Sequence, residues 1–300
     1  MRIDHGNLRA LAAVVHEGSF ERAALALSVT PSAISQRIKA LEERMGRLLV
    51  LRTVPVTATS DGQVLVQLAK QTAVLEHDAL ERLGLDDQAA QPSIAVAVNH
   101  DSLETWFMHA AELFATQSSA TLDLQSEDQD HTAALLRNGS VLAAVTTLAD
   151  PVQGCRLHPL GSMRYVATCS PAFHARFFSK GVNARSVAQA PVLVFNRKDA
   201  LQGQFAGRIM GAAPWQPPVW WLPSSRAFVQ ATLSGLGWTM NPLPLVQHHL
   251  DAGRLLPLRA RAWEDVPLYW QHWRVNSQAM QALTDAVLQA SRSLVKRRAG

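Results

Sequence analysis

Residues 20–41 read Phe-Glu-Arg-Ala-Ala-Leu-Ala-Leu-Ser-Val-Thr-Pro-Ser-Ala-Ile-Ser-Gln-Arg-Ile-Lys-Ala-Leu. Two apolar stripes at helical spacing run through this stretch, Ala23, Ala24 and Leu27 in the first half and Ala33, Ile34, Ile38 and Leu41 in the second. Between them, Thr30 supplies a hydroxyl cap and Pro31 a first helical residue that needs no N–H partner. The spacing predicts two short helices joined by a tight turn, with small alanines letting them pack closely. The polar side of the second helix carries Ser32, Ser35, Gln36, Arg37 and Lys39, side chains that donate to phosphates and base edges. That is the layout of a helix-turn-helix whose second helix enters a DNA major groove.

Outward from this pair, residues 7–16 form a preceding helix, and Gly46 stops the second helix of the pair. Residues 48–53 and 54–59 read as a two-stranded wing with Arg52 and Thr53 at its tip, placed to touch the DNA backbone. Positive charge gathers in this region, at Arg37, Lys39, Arg44, Arg47 and Arg52, opposed by Glu42 and Glu43, although the whole chain carries only +4. A local patch suits a reading element rather than a bulk polycation.

Residues 61–85 hold Leu65, Leu68, Ala69, Thr72, Leu75, Ala79, Leu80 and Leu83 at near-heptad spacing. A single long helix of this kind buries its stripe against a copy of itself or folds back on its own domain. Residues 86–92 are a polar hinge ending in proline. Beyond it, strands and helices alternate. Strands are expected at 94–98, 120–127, 143–147, as a pair within 156–169, as buried strands at 192–195 and 219–222, and at 237–240 and 268–273. Helices are expected at 100–117, 132–137, 171–178, 224–234 and 277–296. Repeated βα units imply parallel sheets covered by helices, arranged as two lobes. The division that follows is residues 1–59 for the winged helix-turn-helix, 60–91 for the dimerisation helix and hinge, and 92–300 for an effector-binding α/β region.

The 48% apolar content supports a sizeable core. Cys155 and Cys169 are isolated and lack metal-ligand spacing, so a reduced cytoplasmic chain is the simpler reading than a disulfide. No signal core or membrane-length apolar run occurs. Nucleophile-elbow, Walker and dinucleotide motifs are missing, which argues against an enzyme. His248-His249 is adjacent, so the two rings should diverge on a helix as a surface feature.

With these parts in order, the chain resembles the LysR-type transcriptional regulators over its whole length. The resemblance is carried by Phe20–Ala24, Ser32–Ile38 and Arg52–Pro55. With Val98–Trp106 and Ser224–Gln230, those segments are similar to the ArgP/LysG (IciA) branch. It implies a two-lobed effector domain of periplasmic-binding-protein type, a small-molecule effector such as lysine or arginine, no cofactor, and control of an amino-acid exporter gene. It also implies double-stranded DNA and self-association as a dimer or tetramer, and it leaves RNA polymerase open as a partner. A regulator sensing a non-basic ligand, and a binding module or enzyme without DNA function, are the rivals.

For the effector, strand ends are the expected location. Asn99, Asp101 and Ser102 follow the first strand of the α/β region; Ser224 and Ser225 open a later helix; both offer donors for a carboxylate. Asp101, Glu127 and Asp128 suit a cationic group, and Thr146 ends another strand with a hydroxyl. Arg226 departs from the glutamate common in the ArgP pattern, and is expected to pair with Asp101 or Glu127 or to select an acidic or neutral ligand.

Overall fold

A computed structural model describes residues 2–85, 93–127, 129–211 and 214–296. The expected hinge, residues 86–92, and Asp128 lie outside these. The chain begins with α1 (His5–Glu17), α2 (Phe20–Ala26), α3 (Pro31–Met45), β1 (Val50–Leu51), β2 (Thr57–Ala58) and α4 (Ser60–Arg82). Then come β3 (Ser93–Asn99), α5 (His100–Ser102), a π-helical turn (Leu103–Phe107), α6 (Met108–Ala115), β4 (Thr121–Glu127), α7 (Gln129–Arg137), β5 (Ala143–Thr146) and β6 (Cys155–Cys169). The remainder is α8 (Pro171–Phe177), α9 (Ala184–Gln189), β7 (Val192–Val194), α10 (Leu201–Met210), β8 (Val219–Trp221), α11 (Ser225–Leu233), β9 (Thr239–Pro242), α12 (Leu243–Asp251), β10 (Leu256–Pro257), β11 (Trp263–Trp273) and α13 (Gln278–Ala290).

Two compact units result. The first holds residues 1–99, 109–158 and 269–289; the second holds 100–108, 159–268 and 290–300. In the first, α1 to α3 and the wing close around Leu8, Leu11, Val14, Ala23, Ala24, Ile34, Ile38, Leu41, Leu49 and Val56. Local chemistry sets the helix ends. Thr30 accepts from the Ala33 N–H at 3.2 Å before Pro31, and Gly18 and Gly46 take left-handed φ values that end α1 and α3. The wing is only two residues wide, with Val50 opposite Ala58 and Leu51 opposite Thr57. Glu42 anchors it, its carboxylate accepting from the Leu49 and Val50 N–H groups at 2.8 and 3.3 Å.

α4 packs against its own unit at two places along its length. Leu65, Val66 and Ala69 join the N-terminal core. Further along, Val74, His77 and Asp78 are buried. The Asp78 carboxylate accepts from the Gln278 N–H at 2.6 Å and the Ala279 N–H at 3.4 Å, capping α13. An apolar edge of Val64, Leu68, Leu75 and Leu83 stays exposed. The helix therefore packs on its own unit with one face and leaves another exposed.

The sheets are mixed rather than purely parallel. In the first unit β4, β3 and β5 run parallel, and β11 pairs β5 antiparallel, with Tyr269 opposite Thr146. In the second, β6 pairs β9 and β10 antiparallel, while β7 and β8 are parallel. The expected strand pair within 156–169 is one continuous strand, β6. Gly161 takes the φ of +127° that a side chain would resist, so the chain bends there without turning back. β8 is exposed instead of buried: it pairs only with β7 among named strands, and Trp220 and Trp221 are each 48% accessible. The last helix ends at Ala290 rather than Lys296. Ser291–Ser293 tighten into a 3-10 turn, and Val295 bridges back to Ser162. The short helices α9, α10 and α12 carried no strong sequence signal. Among the described residues, no helix is long and apolar enough to cross a membrane.

Candidate DNA-reading helix and effector site

α3 sorts its residues by face. Ile34, Ile38 and Leu41 are fully buried, while Ser32, Gln36 and Lys39 are exposed and Ser35 and Arg37 partly so. The exposed stripe begins at the helix N-terminus, where unpaired N–H groups favour a phosphate. Ser32 shares a 3.0 Å hydrogen bond with Thr30, and Lys39 forms a loose 3.7 Å ion pair with Glu43. At the wing, the Thr53 hydroxyl donates to the Pro55 carbonyl at 2.6 Å, so it shapes the turn. Arg52 lies 5.4 Å over the Phe20 ring, which holds its guanidinium against α2. Val54 at the tip is fully exposed.

In the second unit, Asp101 is the focus of a polar cluster. Its Oδ2 accepts from the Tyr165 hydroxyl at 2.6 Å and its Oδ1 from the Ser225 hydroxyl at 2.6 Å. Part of its surface stays accessible, yet the surrounding protein desolvates the carboxylate. That desolvation raises its pKa, against the two hydroxyl donors and with a further push from the negative Asp199. His100 is the nearby group that opposes the rise. Among the described residues, no arginine or lysine forms an ion pair with Asp101. Arg226, expected to reach Asp101 or Glu127, instead donates its Nε to Glu104 at 2.9 Å. Glu104 lies in the π-helical turn and Arg226 in the first turn of α11, both in the second unit, so the charge of Arg226 is compensated locally. Ser224 caps α11 by accepting from the Ala227 N–H, and the buried Ser102 hydroxyl has no partner among the described residues. An aromatic wall stands nearby: His100 packs on Phe195 at 5.1 Å, and Phe195 on Phe228 at 6.1 Å.

The first unit carries the other expected residues at the C-terminal ends of its parallel strands. Asn99 is opposite Glu127 in the register, and Thr146 ends the neighbouring strand. Asn99 is buried with both amide atoms unpartnered among the described residues. Thr146 accepts from the Gln271 amide at 3.3 Å. The side chain of Glu127 is outside the described set.

Two sequence segments match family descriptions. Residues 5–63 match a bacterial regulatory helix-turn-helix protein of the lysR family, and residues 87–292 match a LysR substrate binding domain. The chain belongs to the LysR family of transcriptional regulators. The lysine export transcriptional regulatory protein LysG of Corynebacterium efficiens is 43% identical over 288 residues, spanning 96% of this chain and 97% of that one. The crystal structure of ArgP from Mycobacterium tuberculosis is 42% identical with a TM-score of 0.86, covering 99% of this chain and all of the other. Full-length LysG from Corynebacterium glutamicum, solved with bound effector Arg, is 38% identical with a TM-score of 0.75, covering 98% and 100%.

This LysR-type regulator is a DNA-binding protein and not an enzyme. The polar contacts that sequence reading missed are Tyr165, Glu42 and Asp78. Tyr165 lies in a segment read only as strand, and its hydroxyl partner is 64 residues away. The adjacent His248 and His249 do not diverge: their rings sit 3.8 Å apart. Among the described residues, no group of His, Cys, Asp and Glu could hold a metal ion. Cys155 and Cys169 are free and buried, and burial pushes their thiols up to about 11 and about 12.

Proposed function

We propose that this regulator senses a basic amino acid, arginine or lysine, and that Asp101 receives its cationic end. The observation that carries this reading is a desolvated carboxylate held by two hydroxyls, with no cation bridged to it among the described residues. A guanidinium or ammonium group neutralises that charge, and the His100–Phe195 wall suits an aliphatic stem. The Arg226–Glu104 pair supports the same reading, because the reversed charge at Arg226 is already answered. The similar LysG solved with arginine adds support. Ser32, Ser35, Gln36, Arg37 and Lys39 read the operator, with Arg52 and Thr53 beside the backbone. The exposed edge of α4 joins two chains, so that paired heads meet paired half-sites. The regulated gene encodes an exporter of basic amino acids.

Thermal shift against the twenty amino acids tests the effector. Arginine or lysine should raise the melting temperature of the wild type and leave Asp101→Asn unmoved. Stabilisation by an acidic or neutral amino acid alone would replace this reading with the rival one.

A further inference from the structure

A cavity of about 570 Å³ lies wholly within the first unit, between the end of α4, the start of β6 and the segment leading into α13. Arg82, Arg156 and Arg274 line it. All three side chains are exposed, and no described carboxylate pairs with any of them. Among the described lining residues the one acid, Asp78, is committed to the backbone N–H groups that open α13. His272 forms part of the wall without adding charge. Its Nδ1 donates to the Trp273 carbonyl at 2.9 Å, its Nε2 faces His158 Nε2 at 3.3 Å, and burial lowers its pKa. The described lining therefore keeps a surplus of positive charge, beside apolar surface from Leu75 and Met280.

We propose that this cavity binds a small organic polyanion, a molecule with two or three carboxylate or phosphate groups. The volume falls in the range of small-molecule sites and is too confined for a nucleic-acid duplex. Guanidinium groups favour such anions through paired, charge-assisted hydrogen bonds. A ligand here joins Arg82 on the long helix to Arg156 and Arg274 on the α/β side of the same unit. It gives the regulator an anionic input separate from the cation-seeking carboxylate at Asp101.

The test is calorimetric titration of citrate and of pyrophosphate into the full-length protein at fixed ionic strength, for wild type and for R156Q/R274Q. At least one anion should bind the wild type with Kd below about 1 mM, and the double variant should lose about tenfold or more. Binding of neither anion, or equal binding to both proteins, overturns the proposal. If the double variant melts early, Arg82→Gln decides instead, since its side chain is exposed on the outer helix: undiminished affinity there overturns the site. The two anions distinguish carboxylate from phosphate chemistry. A parallel arginine titration reports on Asp101 alone, so failure of one site is separable from failure of the other.

Discussion

The hydroxyl of Tyr165 donates to Asp101 at 2.6 Å, joining a residue in mid-strand on β6 to one in the first turn after β3. The bond orients a carboxylate that the fold otherwise desolvates. Removing the hydroxyl in Tyr165→Phe should leave Asp101 with Ser225 as its remaining strong donor. Arginine affinity should fall by about 1 kcal/mol, roughly fivefold, while the fold persists. Calorimetry on the variant checks this, and an unchanged affinity would remove Tyr165 from the effector site.

Asp101 also sets a pH dependence. Its pKa is raised in the folded chain, so the native state holds that proton more tightly than the unfolded one. The stability contributed by this group therefore declines as pH rises from the ordinary carboxylate value toward the folded one. A cationic effector reverses the preference, because it needs the ionised form. Arginine should bind more weakly in acid and release a proton there on binding. Titrations in two buffers of different ionisation enthalpy measure that proton, and Asp101→Asn should abolish it.

On the DNA side, Arg37→Ala should weaken operator binding by about 1–3 kcal/mol with the melting temperature unchanged. Lys39→Ala should weaken all sequences alike and reduce the salt slope by about one. Gel-shift titrations at two salt concentrations separate the two. Sequence-independent loss at Arg37 would move it from base reading to backbone contact.

Two substitutions probe the scaffold. Asp78→Ala removes the cap of α13 and should cost about 1 kcal/mol, read as a lowered melting temperature. Gly62→Ala should cost more, about 1–3 kcal/mol, because a Cβ there collides with the Leu49 carbonyl at the foot of the wing. A melt as stable as wild type in Gly62→Ala would show that the wing shifts freely.

The thiols offer a simple check on burial. With pKa values pushed up to about 11 and about 12, Cys155 and Cys169 hold almost no thiolate near neutrality. Alkylation should be slow until the chain is unfolded, as mass spectrometry after iodoacetamide would report.

The N-terminal head was legible because its signals are local: Thr30 before Pro31, Gly46 after Met45, and the stripe through Ile34, Ile38 and Leu41. Strand ends were legible as well: Asp101 was expected after the first strand of the α/β region and Ser225 at a helix start, and the structure brings the two side chains together at 2.6 Å. What escaped reading depends on distant partners. Glu42 was read as one of two acids opposing the basic residues, and it holds the wing through the Leu49 and Val50 N–H groups. Asp78 interrupts an apolar repeat because it caps a helix 200 residues away. Arg226 found Glu104 rather than Glu127 or Asp101, the carboxylate three residues earlier. Residues 156–169 read as two strands, yet the backbone only bends at Gly161.

The long helix α4 has one end sealed into the DNA-reading head by Leu65, Val66 and Ala69, and the other fastened by Asp78 to the start of α13. Held at both ends, it behaves as a drive shaft rather than a tether. In the proposed pair of chains, a turn about its axis at the α13 end would carry to the head and change the spacing at which two recognition helices meet their DNA.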